Sequence, residues 1–251
     1  MTSGEKFPMK SMLRAAVIGL AILTAACNQD AATNNADAMN GASAAQAGKD
    51  WTNTVVATPG GGFLMGNPAA PVKLLEFGSF TCPHCRAFHD EAEATLKQKY
   101  IASGKVSYEF RSFILNGIDV PVSLLAYCMP PSAFFPTQDG LYGAQESWVG
   151  KLSKAGDELE KLQSAPPEQQ FASILRITGL DQFFKLRGLP EAKQTQCLND
   201  QAMLKKLADI RSDAVKSYNL TGTPTFVING TTQENVYDWK SLQPKLDEAL
   251  K

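Results

Sequence analysis

The sequence holds two histidines and five cysteines among 251 residues. These shortages narrow the chemistry. A structural zinc site takes four nitrogen or sulfur ligands, and there is a single C-x-x-C, Cys82 and Cys85, with no second one to complete it. Both histidines, His84 and His89, fall on the same short segment, so no metal is expected. Five cysteines are also too few for a disulfide-scaffold miniprotein. Neither sign of charge dominates: 24 Lys and Arg stand against 25 Asp and Glu, for a net charge of −1. That balance offers no nucleic-acid surface. Long hydrophobic runs are missing as well. What is present suits a packed globular chain: 44% of residues are hydrophobic, and the length fits one large domain or two small ones.

The apolar run that does occur, residues 15–26, follows Lys6, Lys10 and Arg14. It is short for a bilayer span and has the length of a signal-peptide core. The competing reading is a permanent membrane anchor. The next residue is Cys27, and 23–27 (L-T-A-A-C) resembles a bacterial lipobox, although Thr24 stands where leucine is usual. Residues 1–27 are therefore expected to be a signal peptide ending in a lipidated Cys27, with cleavage after Ala25 or Ala26 as the alternative. Residues 28–50, rich in Ala, Asn, Gly and Ser, read as a flexible tether. Either way the working chain is expected in the periplasm or cell envelope, touching membrane only through a lipid anchor, where disulfides persist.

The folded part is expected to begin near Trp51. Residues 51–57 have strand composition, and turn signals follow at 59–62 and 66–68. Residues 72–77 (V-K-L-L-E-F) read as a central strand covered on both faces, apart from Lys73 and Glu76. From Cys82 to about Ala102 the pattern is helical, with Phe88, Ala92 and Leu96 at four-residue steps. Residues 106–110 alternate as a strand, completing a βαβ unit with parallel pairing. No convincing strand appears in 118–218. Helical segments are expected there at 121–129, 138–151, 168–175 and 201–218. A strand at 225–229, an Asn229-Gly230 hairpin turn and a short final helix close the chain, with Pro244 in the first turn of that helix. The expected fold class is α/β: a sheet domain in two parts, 51–117 and 219–251, with a helical domain, 118–218, inserted between them.

The chemistry centres on 81–85 (T-C-P-H-C), which follows a strand and opens a helix. A cysteine at a helix N-terminus meets unpaired N–H groups and the positive end of the dipole, so its thiolate is favoured. Pro83 suits the first helical position. His84, when protonated, adds positive charge. Cys82 is read as the attacking and attacked sulfur and Cys85 as the resolving one, less exposed. A merely structural bridge across two residues would staple very little.

The run 66–89 (G-N-P-A-A-P-V-K-L-L-E-F-G-S-F-T-C-P-H-C-R-A-F-H) resembles the active-site region of the DsbA-like branch of the thioredoxin superfamily. The later 222–230 (G-T-P-T-F-V-I-N-G) resembles that family's cis-proline loop and following strand. The resemblance covers about 51–251 and implies a thioredoxin-like sheet with a large inserted helical domain. It implies that Pro224 is the cis-proline beside the cysteines, that Thr223 offers backbone hydrogen bonds to a bound substrate chain, and that Glu76 is a buried acid beneath the site. The residues agree in part: a carboxylate in a doubly covered strand would be desolvated and its pKa raised. The other reading of Glu76 is a charged residue at a strand end. Arg86 stands where the family often has an aromatic or small residue, a departure that bears on partner charge.

Cys128 and Cys197 remain, and in an oxidising compartment two leftover cysteines most often pair. A free or redox-active pair is the alternative. The function expected is thiol–disulfide exchange that introduces disulfides into cysteine-containing exported proteins through a mixed disulfide at Cys82, with no cofactor. The resemblance alone implies a quinone-linked membrane partner for reoxidation. Two alternatives stay open: an isomerase or reductase kept reduced by a membrane electron donor, and a non-catalytic peptide-binding or holdase module.

Overall fold

The computed structural model describes residues 49–251, so the expected signal peptide, Cys27 and nearly all of the expected tether lie outside the described residues. A short 3-10 turn, Trp51–Asn53, leads into a six-stranded sheet. The strands are β1 (Val55–Ala57), β2 (Phe63–Gly66), β3 (Val72–Gly78), β4 (Val106–Ser112), β5 (Thr225–Ile228) and β6 (Thr231–Thr232). Their spatial order is β1-β2-β4-β3-β5-β6. β3 and β4 run parallel, and every other pair is antiparallel. β2 is an addition to the sequence reading, hidden between two glycine-rich turns and only four residues long.

Helix α1 (Pro83–Thr95) crosses from β3 to β4 and continues as a π-helical turn, Leu96–Ile101, that buries Tyr100 and Ile101. Register fixes which side chains share a face. Glu76 pairs with Phe110 on one side and Phe226 on the other. Phe226 stacks against Phe88 of α1, their ring centroids 4.5 Å apart. The opposite face presents Phe77, which meets Tyr218, with centroids 5.1 Å apart. Helices therefore cover both faces, and β3 is buried at every position except Lys73.

Between β4 and β5 lie eight helices: α2 (Asp119–Cys128), α3 (Pro131–Gly143), α4 (Gln145–Lys154), α5 (Gly156–Leu162), α6 (Pro167–Thr178), α7 (Leu180–Leu186), α8 (Glu191–Leu198) and α9 (Gln201–Tyr218). The single helix expected at 138–151 is two helices that meet at Ala144, whose ψ of 3° breaks the helical run. α5, α7 and α8 are additions, each eight residues or fewer and so too short for a clear periodic signal. Among the described residues no helix is long and apolar enough to cross a membrane.

The chain returns through β5. Asn229 and Gly230 both adopt positive φ, 50° and 85°, as a two-residue hairpin with β6 requires. Helix α10 (Trp239–Ala249) corrects one expectation, since Pro244 is an interior residue of it. The helix starts earlier because Asp238 caps it, accepting from Ser241 N at 2.8 Å, and Trp239 is buried. Pro244 and Lys240 are both exposed, so water can serve the Lys240 carbonyl that the proline cannot.

Candidate active site

The loop from β3 to α1 is held from the inserted helices. Asp119, fully buried at the start of α2, accepts from Ser79 Oγ at 2.8 Å, Thr81 N at 3.1 Å and Leu115 N at 2.9 Å. Burial pushes the Asp119 carboxyl up, against the pull of these donors. Gln145 Nε2, from α4, donates to Phe80 O at 2.8 Å and Cys82 O at 2.9 Å. Tyr142 Oη donates to Ser79 O at 3.2 Å. The Phe80 carbonyl depends on Gln145 for its donor, while those of Ser79 and Cys82 also accept from Cys82 N and Arg86 N, and together these bonds fix where α1 begins.

Cys82 is the N-cap of α1, with Pro83 in the first turn. Its sulfur accepts from Cys85 N at 3.4 Å, and its thiol donates to Thr223 O at 3.3 Å. The Cys82 pKa is lowered from 9.0 to about 6, chiefly by a hydrogen bond from the Cys85 thiol, with help from Thr223 and from the backbone N–H groups of Cys85 and His84, against the cost of burial. Cys85 has no exposed surface. Burial, then Cys82 and the Glu76 charge, push its thiol well above the ordinary value. One sulfur is thus an anion near neutral pH and its partner a neutral thiol, an asymmetry suited to sequential attack and resolution. His84 is exposed and serves the sulfur through its backbone N–H.

Glu76 is 1% exposed. Desolvation raises its pKa to about 8, and the bond it receives from Tyr108 Oη at 2.6 Å only partly opposes this. The strand-end reading of Glu76 therefore gives way to a buried acid. The Thr223–Pro224 bond is cis, and Pro224 is buried. Cys82, Pro83, His84, Cys85, Glu76, Thr223 and Pro224 accordingly gather at one end of the sheet. Arg86 reaches from α1 to Glu146 on α4 at 3.1 Å. Cys128 and Cys197 stand apart from this group, joined by a disulfide between α2 and α8.

Several neighbours of the site escaped sequence reading. Asp119 and Gln145 sit in helices far along the chain, with no local signal of their role. Tyr108 had one: parallel pairing sets Leu74 opposite Tyr108, which puts Tyr108 on the face of Glu76. His89 Nε2 lies 3.4 Å from both Glu93 and Asp139. This trio resembles a metal site, but Lys97 Nζ already supplies the cation, donating to Glu93 at 2.6 Å and Asp139 at 2.9 Å.

The family model described as thioredoxin matches residues 58–248. A crystal structure of a protein-disulfide isomerase from Novosphingobium aromaticivorans is 34% identical and aligns over 75% of this chain and 96% of that one, with a TM-score of 0.71. Wolbachia pipientis alpha-DsbA1 shares the fold at 24% identity, over 74% of this chain and 89% of that one, with a TM-score of 0.59. A Rickettsia bellii protein, provisionally named a protein-disulfide oxidoreductase, is 29% identical over 188 residues. That match takes in 74% of this chain and 64% of the relative, so the chain spans under two thirds of that protein's length. The chain belongs to the thioredoxin family, and its sheet interrupted by a helical insertion is the DsbA-like form of that fold.

Proposed function

We propose that the protein is an exported thiol–disulfide oxidoreductase that oxidises cysteine-containing substrate proteins through Cys82 and Cys85. The observation that carries the reading is the asymmetry of the pair: a stabilised Cys82 thiolate above a buried, neutral Cys85. A substrate thiolate attacks Cys82 Sγ of the disulfide form and Cys85 leaves. A second substrate thiol then attacks the substrate sulfur of the mixed disulfide, and Cys82 leaves as the favoured thiolate. Thr223 O lies beside Cys82, on the edge a substrate backbone would pair with. Glu76 supplies the proton that neutralises Cys85. The sheet domain (51–117 and 219–251) carries the chemistry and the inserted domain (118–218) covers it. Localisation in the periplasm or envelope, a lipid at Cys27 and a quinone-linked reoxidation partner complete the proposal, and they rest on the sequence.

The thiolate alone does not set the direction. A pKa of about 6 in place of 9.0 favours the reduced form by about 1.4 kcal/mol at pH 7, or about 30 mV. Thioredoxin and DsbA lie about 150 mV apart. An oxidase therefore needs a fold that disfavours the disulfide by more than the thiolate accounts for. The second reading is an isomerase or reductase, favoured by the name of the 34%-identical structure. Measuring the potential of the couple in glutathione buffers separates them. A value near about −120 mV supports an oxidase, and one near about −270 mV overturns it in favour of a reductant.

A further inference from the structure

Glu76 Oε2 is satisfied by Tyr108, but Oε1 is buried without a protein partner, and so is Nε2 of Gln138 on α3. Tyr108 and Gln138 line a cavity of about 20 Å³ whose other walls include His89, Glu93, Lys97 and Asp139. One water needs about 10–15 Å³ and two to four polar partners. The Gln138 amide, the Tyr108 hydroxyl and the His89–Asp139 pair offer them.

The redox step makes a route for protons necessary, and this inference rests on the thiol–disulfide reading. When a substrate thiolate attacks Cys82 Sγ, a new S–S bond forms, the Cys82–Cys85 bond breaks, and the electron pair departs on Cys85 Sγ. A bare thiolate there is costly, because Cys85 has no exposed surface. One proton from Glu76 neutralises it and leaves a buried carboxylate that must be reprotonated.

We propose that the Tyr108 hydroxyl and one water held in this cavity form the proton path between Glu76 and His89, and that His89 is the group exchanging protons with solvent. Tyr108 Oη gives its proton to Glu76 Oε2 along the 2.6 Å bond and takes one from the water. The water takes one from His89, whose side chain keeps 13% of its surface exposed and regains the proton from solvent. The net transfer is one proton from solvent to Cys85, with no electrons moving along the path. The charged groups around His89 are Glu93 and Lys97 from its own helical run and Asp139 from α3, with the Tyr142 ring beside it. Those facing Glu76 are Tyr108, Cys82 and Cys85.

The test is stopped-flow reduction of the oxidised full chain by dithiothreitol, from pH 5 to 9, in H2O and D2O. Tyr108→Phe should slow reduction about tenfold below pH 8 and enlarge the solvent isotope effect, since a relaying hydroxyl is lost while the ring stays. His89→Gln should slow it severalfold at every pH in the series. His89 is half-buried, so this variant keeps the test alive if Tyr108→Phe misfolds. Wild-type rates and profiles in both variants, with Glu76→Gln slow, would overturn the path and leave the oxidoreductase standing. A wild-type chain that dithiothreitol cannot reduce would overturn the oxidoreductase and the path together.

Discussion

Two pairs of cysteines share this chain, and its fold gives them opposite surroundings. Cys82 and Cys85 lie three residues apart at a helix N-terminus, where backbone N–H groups and the neighbouring thiol stabilise a negative sulfur. Cys128 and Cys197 are 69 residues apart at the ends of two packed helices, joined with 6.1 Å between their Cα atoms. Each lies in the last turn of its own helix, where that helix's dipole disfavours a thiolate. The two pairs differ in which helix end they occupy and in how much chain they close.

The most forceful way to break this comparison is to disable each pair in turn. Cys82→Ser should lower thiol exchange by at least about a thousandfold, because a serine hydroxyl offers no thiolate near neutral pH. Cys128→Ala with Cys197→Ala should leave exchange within a few-fold of wild type. Turnover with a dithiol peptide, followed by mass spectrometry, measures both. Equal losses in the two variants would mean that the pairs form one redox relay.

The second pair should instead show its effect in stability. Closing a loop of this length is worth about 4 kcal/mol in the chain-entropy model. The double alanine variant should unfold at correspondingly lower urea and with a steeper slope, because the unfolded chain without the cross-link exposes more surface. A change under about 1 kcal/mol would assign the bridge no stapling role.

The same contrast explains what could be read from the sequence. The reactive pair was legible because its chemistry is local: 81–85 carries the cap, the proline and both sulfurs in five consecutive residues. The strands β3 and β4, the crossover helix and the hairpin at Asn229-Gly230 were legible for the same reason, each having its own periodicity or turn residues. The supports of the site were not. Asp119 binds the Ser79–Thr81 loop from forty residues away, and Gln145 binds the Cys82 carbonyl from sixty-three. Only packing brings them together, and no periodicity encodes it. Pro244 was misplaced because the preference of proline for a first turn is weaker than an Asp238 cap joined to a buried Trp239.

Glu76 sharpens the comparison, because it is a buried acid directly beneath the Cys82–Cys85 pair, and among the described residues no such buried acid lies against Cys128 and Cys197. Its folded pKa of about 8 lies above the ordinary 4.5. For an acid shifted upward, the stabilising contribution is complete below 4.5 and is lost as pH rises through 8. In the oxidised protein the Cys82 charge that adds to this rise is gone but the burial that dominates it remains, so stability should still fall between pH 5 and pH 8, by at most about 3 kcal/mol. Glu76→Gln should remove that slope and be the more stable protein at pH 8. Urea titrations at the two pH values check this, and parallel pH dependence in both proteins would mean that Glu76 is ionised at pH 5.

The smallest expected effect sits where the two regions touch. Arg86 on α1 and Glu146 on α4 form an ion pair at 3.1 Å, with the Arg86 side chain 33% exposed and that of Glu146 87% exposed. Exposed pairs of this kind contribute about 0.2–1 kcal/mol and weaken with salt. Glu146→Gln should therefore cost under about 1 kcal/mol, a difference that vanishes in about 1 M salt. Gln145 beside it, buried and bonded to two carbonyls of the active-site loop, should cost more: Gln145→Leu leaves the Phe80 carbonyl without a donor, at about 1–3 kcal/mol, and takes from the Cys82 carbonyl the donor it has besides Arg86 N, in a way salt does not screen. If the two substitutions cost the same, the insertion holds the reactive loop by surface charge; if Gln145 dominates and ignores salt, it holds the loop by buried hydrogen bonds, and the helical domain is part of the machinery that positions Cys82.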